Sequence, residues 1–598
     1  MSVVPLENTD KVELERLHDL AVHHEYASTV VEKDQKVQPR AAESPALPTD
    51  SDEGSTSLDH QDQTVWTLKT FLATLALAGL YVGSQIPLYF VGAVLSYVAA
   101  DIGGVEASSW LSVAYALPLA AVAPFCGYLQ DLLGRRNITL AGGVIIMMGC
   151  VIVATAHHFR EGIVGMGFAG AGAAIGELSA LAGTSELVPV NKRGTYLALV
   201  TGFVLPFTPY VIYAQLLAAY HTWRWGLWIC LIWNGIWWLV LLVIYFPESQ
   251  TRAKGRMSTE ALKKIDYIGG ITSVTGLTLI LVALEAGGYS HPWKSAYILA
   301  QLLVGIALLV AFVVWEWKYC KEPMVPHELF TGQRIKLTNP PAGMNFYAMI
   351  NFFPLVYQRV FQPDPVKVGL RGLGPGLSTT LGAVIANSSL SWFRGHNREI
   401  LLAGCVIMTA FGGAFAAVTP DREALAIGLG ICTGLGVGAV LVPAATVAIT
   451  VAPDTSIATC VALSITIRAV GGGIGAAIYY NIFVNKLKST LPAYVAQSAV
   501  HAGLPVAEAA EFVELFVGGG GGGGSGVSLD VAQLVQLPGV NERIIDAASV
   551  ATRWAYADCL KYIWLTSIAF GGCAIIACLF LGNVSKYMTN RVAARIRE

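Results

Sequence analysis

Glu177 and Arg468 are ionisable residues set deep inside long apolar runs of this 598-residue chain. Glu177 lies nine residues before Glu186, roughly 13 Å along a helix at ~1.5 Å per residue, which places it near the middle of a membrane. A charge there costs at least ~2.5–3.5 kcal/mol unless it is paired, protonated or wetted. Those are the conditions of a proton-coupling carboxylate, whose proton affinity rises with desolvation and falls when a cation or water approaches. A permanently neutral acid bonded to a neighbouring helix satisfies the same sequence. Arg468 is some ~18 Å into its own run and cannot discard its proton, so it needs a carboxylate, helix carbonyls or an anionic ligand. A structural ion pair or carbonyl clamp is the reading favoured for it.

A second constellation occupies a turn. Gly127-Tyr-Leu-Gln-Asp131-Leu-Leu-Gly134-Arg135-Arg136 places two glycines, an acid and an arginine pair between two apolar runs, where neither a soluble core nor a plain lipid-facing helix would want them. The carboxylate of Asp131 can face a helix N-terminus, and the arginines can reach carboxylates on neighbouring helices. Asp454, Thr455 and Ser456 are N-cap candidates for a later run. Simple anchoring by loop charge would explain the arginines but not the Gly and Asp frame.

The elements that carry these residues are membrane helices. The chain is 54% hydrophobic and 13% charged, with mean hydropathy +0.57, far more apolar than a soluble protein. Apolar runs long enough to cross ~30 Å of hydrocarbon are expected at 68–98, 109–129, 137–156, 163–186, 194–219, 225–246, 266–286, 296–316, 337–358, 368–392, 400–418, 423–450, 457–484 and 560–582. Lys and Arg in the short loops concentrate on one side, including Arg135, Arg136, Lys192, Arg193, Lys318, Lys321, Arg394 and Arg398. By the positive-inside rule that side and both termini are cytoplasmic.

Residues 1–65 are polar and acidic and read as a disordered cytoplasmic tail. The loop 485–559 contains amphipathic stretches near 493–516 and 527–557 around a polyglycine spacer. The ten cysteines form no C-x-x-C pair or His cluster, so they read as small core residues with no metal site. A net charge of −2 gives no reason to expect nucleic acid as a partner.

The frame from Gly127 to Arg136 resembles the G-x-L-x-D-x-x-G-R-R motif of the major facilitator superfamily, in its place between spans 2 and 3. Glu186-x6-Arg193 at the end of span 4 and Pro247-Glu248-Ser249 with Arg252 after span 6 are similar to further signatures of that superfamily. Fourteen spans resemble its proton-driven drug and siderophore branch. Trp110, the stretch Glu177 through Glu186, Arg468 with the Ala-Val-Gly-Gly-Gly-Ile-Gly that follows, and Met588-Thr-Asn-Arg-Val-Ala look like the fungal trichothecene efflux pump family. The span-5 glycine–proline pattern common in antiporters is replaced here by Val204-Leu-Pro-Phe-Thr-Pro209.

The resemblance implies an all-α membrane fold: six-helix bundles at 66–246 and 337–582, a linker with two extra spans at 247–336, and a cytoplasmic C-tail at 583–598. It implies that Gly127, Asp131, Gly134, Arg135, Arg136, Glu186 and Arg193 form a conformational latch. Gln85 and Tyr89 of span 1, Asn345, Tyr347 and Asn351 of span 9, and Thr446 of span 12 become candidates for a substrate cavity suited to a bulky, mostly apolar ligand. The function it implies is proton-coupled export of a small organic molecule by alternating access. Siderophore uptake is the alternative, and a non-transporting membrane sensor the reading from a different class. A monomer without cofactor, acting in the plasma membrane or in a vacuolar or vesicle membrane, completes the expectation.

Overall fold

The structure, a computed structural model, describes residues 68–104, 108, 110–248, 263, 265–288, 291–320, 323–326, 352–353, 355–361, 364–517, 537, 539–593 and 595–596. Helices dominate them. The first group is α1 (Leu68–Ala93), α2 (Leu95–Ile102), α3 (Trp110–Leu133), α4 (Arg135–Ala154), α5 (Phe159–Leu187), α6 (Arg193–Gly202), α7 (Tyr210–Tyr220) and α8 (Arg224–Ile244). A pair follows, α9 (Tyr267–Ala286) and α10 (Ala296–Lys318). The second group is α11 (Pro365–Trp392), α12 (Asn397–Ala414), α13 (Glu423–Leu441), α14 (Pro443–Val451), α15 (Ile457–His501), α16 (Ala509–Phe516) and α17 (Glu542–Leu579).

Twelve helical segments among the described residues are long and apolar enough to cross a membrane. Helix α11 forms where a span is expected but is not one of the twelve, because its sequence carries Lys367, Arg371 and a run of Ser, Thr and Asn. Most of the expected run 337–358 lies outside the described residues, and with it Asn345, Tyr347 and Asn351. The expected span 194–219 is broken into α6, a short turn at 205–207 and α7. Pro206 and Pro209 account for the break, since each removes a backbone donor and crowds the preceding turn.

Each group packs mainly on itself, and the two meet along α15 against α3 and α5, and along α11 against α6 and α7. Helix α9 touches both α3 and α15, while α10 packs on α9. Leu303, Val310, Val313 and Val314 on α10 are exposed in the isolated chain, a surface that only lipid would cover favourably.

The segment 485–559, expected as a loop, is largely helical in its described residues, 485–517, 537 and 539–559. Helix α15 runs on to His501, and α17 begins at Glu542, well before the apolar part of that run. With α16 they bury Leu491, Val495, Leu504, Phe512, Phe516, Ile544 and Ala548 in a core of their own. In the described residues the spans thus continue as helices to His501 and from Glu542, and with α16 they are held together by their apolar faces. At the end of the molecule that carries the Gly127–Arg136 turn, hereafter the turn end, a two-residue strand β1 (Pro247–Glu248) pairs antiparallel with β2 (Arg595–Ile596). Nearby, Val190 and Asn191 donate their N–H groups to the carbonyls of Arg591 and Thr589, each at 3.1 Å, so the C-terminal segment crosses the turn end.

Truncating Phe512, fully buried in the extension's core, removes about 3–5 kcal/mol of packing. Limited proteolysis of the purified protein should therefore cut Phe512→Ala within 485–559 much faster than the parent chain, with the remaining spans intact; equal cleavage rates would contradict an independently packed extension.

Candidate functional site

Glu177 and Arg468, separated by 291 residues, meet. An Arg468 Nη2 donates to Glu177 Oε1 at 2.9 Å. Since Glu177 belongs to α5 and Arg468 to α15, the ion pair joins the two helix groups. Gln85 on α1 donates from Nε2 to the other carboxylate oxygen at 3.3 Å. Gln85 is also 3.4 Å from the Ser84 hydroxyl, and the Tyr115 hydroxyl on α3 donates to the Ser84 carbonyl. The Glu177 side chain is 3% exposed and that of Arg468 16%, so the guanidinium keeps limited access to open space. In such surroundings, removing one partner of a buried pair strands the other charge at a cost of about 3–5 kcal/mol.

The remaining cavity candidates divide. Gln85 and Tyr89 are half-buried, and Tyr89 stacks on Tyr210 of α7 with ring centroids 4.7 Å apart. Phe203, Phe207, Trp233 and Trp237 form a separate aromatic group in edge and tilted contacts. Thr446, the candidate from span 12, lies between two helices. Its hydroxyl is buried and donates to Asn387 Oδ1 at 2.7 Å, with the Val442 carbonyl at 3.2 Å, so it fastens α14 to α11. A small hydroxyl inside a bilayer is most readily satisfied by its own helix and the next one.

The turn end holds a second network. A Cβ on Gly127 would come within 2.6 Å of the Ala462 Cβ and 2.9 Å of the Ala458 carbonyl oxygen, so only glycine lets α3 lie this close to the first turn of α15. Gly134 has φ +96, a conformation that lets the chain leave α3 and enter α4 within one residue. Between them Asp131 accepts from Ala458 N at 3.2 Å, Thr459 N at 2.8 Å and Thr459 Oγ1 at 2.7 Å. The start of α15 is thus capped by a carboxylate from the other helix group. Of the residues that the sequence offers for this cap, Ser456 stands at the cap position and makes no side-chain cap bond. A charged acceptor satisfying two free N–H groups and opposing the helix dipole outcompetes a local hydroxyl.

Arg135 is buried between Asp131, at 3.4 Å, and Glu186, with which it forms the closer ion pair. Arg193 donates to the Ser185 carbonyl at 2.8 Å and to the Ile449 carbonyl of α14 at 2.9 Å, and lies 3.9 Å from Asp454. Asp454 is also held by Arg591 of the C-terminal segment at 2.6 Å, a partner that sequence reasoning missed because only tertiary folding brings the tail there. Arg136, also expected in the latch, has its contacts within the first helix group. It donates to the Leu242 carbonyl at 2.8 Å and lies over the Phe246 ring at 4.1 Å, clamping α4 to the end of α8 within one group.

Comparison with known proteins places this geometry. The profile of the family described as "Fungal trichothecene efflux pump (TRI12)" matches residues 54–598. The trichothecene efflux pump TRI12 of Fusarium sporotrichioides is 24% identical over 531 residues, covering 86% of this chain and 86% of that protein. The MFS-type efflux transporter ffsH of Aspergillus flavipes is 27% identical over 474 residues, covering 77% and 78%. Among solved structures, the MFS proton:xylose symporter XylE bound to 6-bromo-6-deoxy-D-glucose has a TM-score of 0.51 at 12% identity, covering 88% of this chain and 98% of that one; this likeness speaks for the fold alone. Relatives named as efflux pumps weigh against the siderophore-uptake alternative. The family match over nearly the whole chain, the major facilitator fold and the motif at the turn end agree: the protein belongs to the fungal trichothecene efflux pump family of the major facilitator superfamily and is a multi-pass membrane transporter.

Proposed function

We propose that the protein exports a small, largely apolar organic molecule of the fungal toxin or secondary-metabolite class in exchange for protons, with Glu177 as the proton-binding group. The observation that carries this reading is the Glu177–Arg468 pair, a titratable carboxylate and a permanent cation joined across the two helix groups. Protonating Glu177 removes the charge that holds Arg468, and the stranded guanidinium then weakens the tie between α5 and α15. Half-buried Gln85 and Tyr89, with Tyr210 stacked on Tyr89, suit a bulky ligand carrying a few oxygen atoms.

The turn end, cytoplasmic on this reading, is the inner gate. Asp131 on the start of α15 and Arg193 on the Ile449 carbonyl hold it shut. A proton taken up from outside opens the central pair, and the groups then rock so that the inner gate separates. Release of the proton inward and entry of substrate complete the exchange, with the bundles moving about the fixed central site. A monomer in the plasma membrane suffices for this cycle.

Two outcomes test the reading. In inside-out vesicles with an acidic lumen, the parent protein should accumulate a trichothecene in proportion to the pH gradient, and Glu177→Gln should bind the compound yet lose the gradient dependence; full gradient-driven uptake by Glu177→Gln would refute the coupling role. At the gate, Asp131→Asn weakens charge-assisted bonds worth roughly 1.5–3 kcal/mol, and buried Cys460 in the first turn of α15 reports opening. Its alkylation, followed by peptide mass spectrometry, should accelerate by about tenfold or more; an unchanged rate would show that Asp131 does not hold the gate.

A further inference from the structure

Asp266 and Glu316 face one another at the turn end of the α9–α10 pair, each more than nine-tenths buried. Asp266 caps α9: its Oδ1 accepts from Gly269 N at 2.9 Å and from Trp315 Nε1 at 3.0 Å, while its Oδ2 has no hydrogen-bond donor. Glu316, in the last turn of α10, accepts from Met324 N at 3.0 Å through Oε1 and from Val325 N at 3.3 Å through Oε2. Cys320 follows four residues later, where the chain folds back with its N–H on the Trp315 carbonyl at 3.0 Å. One oxygen of each carboxylate and the sulfur of Cys320 lie within 4.8 Å of one another. Among the described residues no ion pair involves either acid.

Two buried carboxylates this close repel unless a proton or a cation lies between them. The donor set favours the cation. A thiolate with two carboxylates is too soft for Mg²⁺ or Ca²⁺ and suits Zn²⁺, which takes S at ~2.3 Å and O at ~2.0–2.2 Å and leaves a fourth, water-filled position beside three protein ligands. The neighbours already act as an outer shell: the Trp315 indole and three backbone N–H groups hold the two carboxylates in place. We propose that Asp266, Glu316 and Cys320 form a Zn²⁺ site.

Its place in the fold gives it a purpose. Asp266 N donates to the Tyr128 hydroxyl at 3.3 Å, and Ile265 and Met324 pack against Tyr128 and Leu132 of α3, the helix that presents Asp131 to α15. A bound metal joins the start of α9 to the end of α10 and braces both against that helix. The cysteine spacing alone carries no metal signature, because the third ligand comes from the start of the preceding helix.

The test uses the full-length transporter purified in detergent without chelators. Elemental analysis should find about one Zn²⁺ per chain, and Co²⁺ added to metal-stripped protein should give the visible bands of a tetrahedral site with a thiolate-to-metal charge-transfer band. Cys320→Ser should abolish the charge-transfer band, and Glu316→Gln should lower Co²⁺ affinity by more than about a hundredfold, each with the helical content of the parent. Protein that carries no zinc and gives no Co²⁺ bands, or a Co²⁺ spectrum unaltered by Cys320→Ser, would overturn the proposal, the former in favour of a proton shared by the two acids.

Discussion

A charge inside the bilayer must be answered by an opposite charge or a full set of dipoles, and in this protein the answer comes from the other half of the chain. Glu177 on α5 is met by Arg468 on α15, and Asp131 on α3 by the free N–H groups that open α15. The residues that would be most costly to leave alone in hydrocarbon are therefore the ones that hold the helix groups together. On the proposed cycle the same ties must also come apart, the central one with the charge state of Glu177 and the one at the turn end with a rotation of the groups.

Helix α15 is the common element. Its first turn receives Asp131, its middle carries Arg468, and its far end continues beyond the expected span into the packed extension with α16 and α17. This one helix of 45 residues therefore reaches from the turn end, past the central pair, to the extension. Gly127 matters for the same reason, since a side chain there would wedge α3 away from α15 and lengthen every bond that Asp131 makes. The broken segment α6–α7, with its prolines, packs on α11 at the other interface between the groups.

Much of this was legible in the sequence, and the failures have physical causes. Apolar length set the helices, and the Gly127–Arg136 frame marked the turn, because both are local properties. Glu177 and Arg468 could each be recognised as a charge in need of a partner, but nothing local says that they partner one another across 291 residues. The cap on α15 was misread for a related reason: Asp454 to Ser456 have the right residue types in the right place, yet a carboxylate from another helix wins the N–H groups. Thr446 is a cavity candidate only through the family resemblance, and its bond to Asn387, 59 residues away in the chain, is one that no local pattern reports. Arg136, adjacent to Arg135 in sequence, points to α8 instead of the interface, since neighbours on a helix face different ways.

The account rests on the central pair controlling the gate at the turn end. The most direct measurement is the distance distribution, by pulsed electron spin resonance, between spin labels at the exposed positions Lys192 and Arg394, one on each helix group at that end. At neutral pH the account predicts a short, narrow distribution for the parent protein, which shifts toward longer separations on acidification and stands at those longer separations in Glu177→Gln without any change of pH. A distribution that is the same in the parent and in Glu177→Gln at every pH would contradict it.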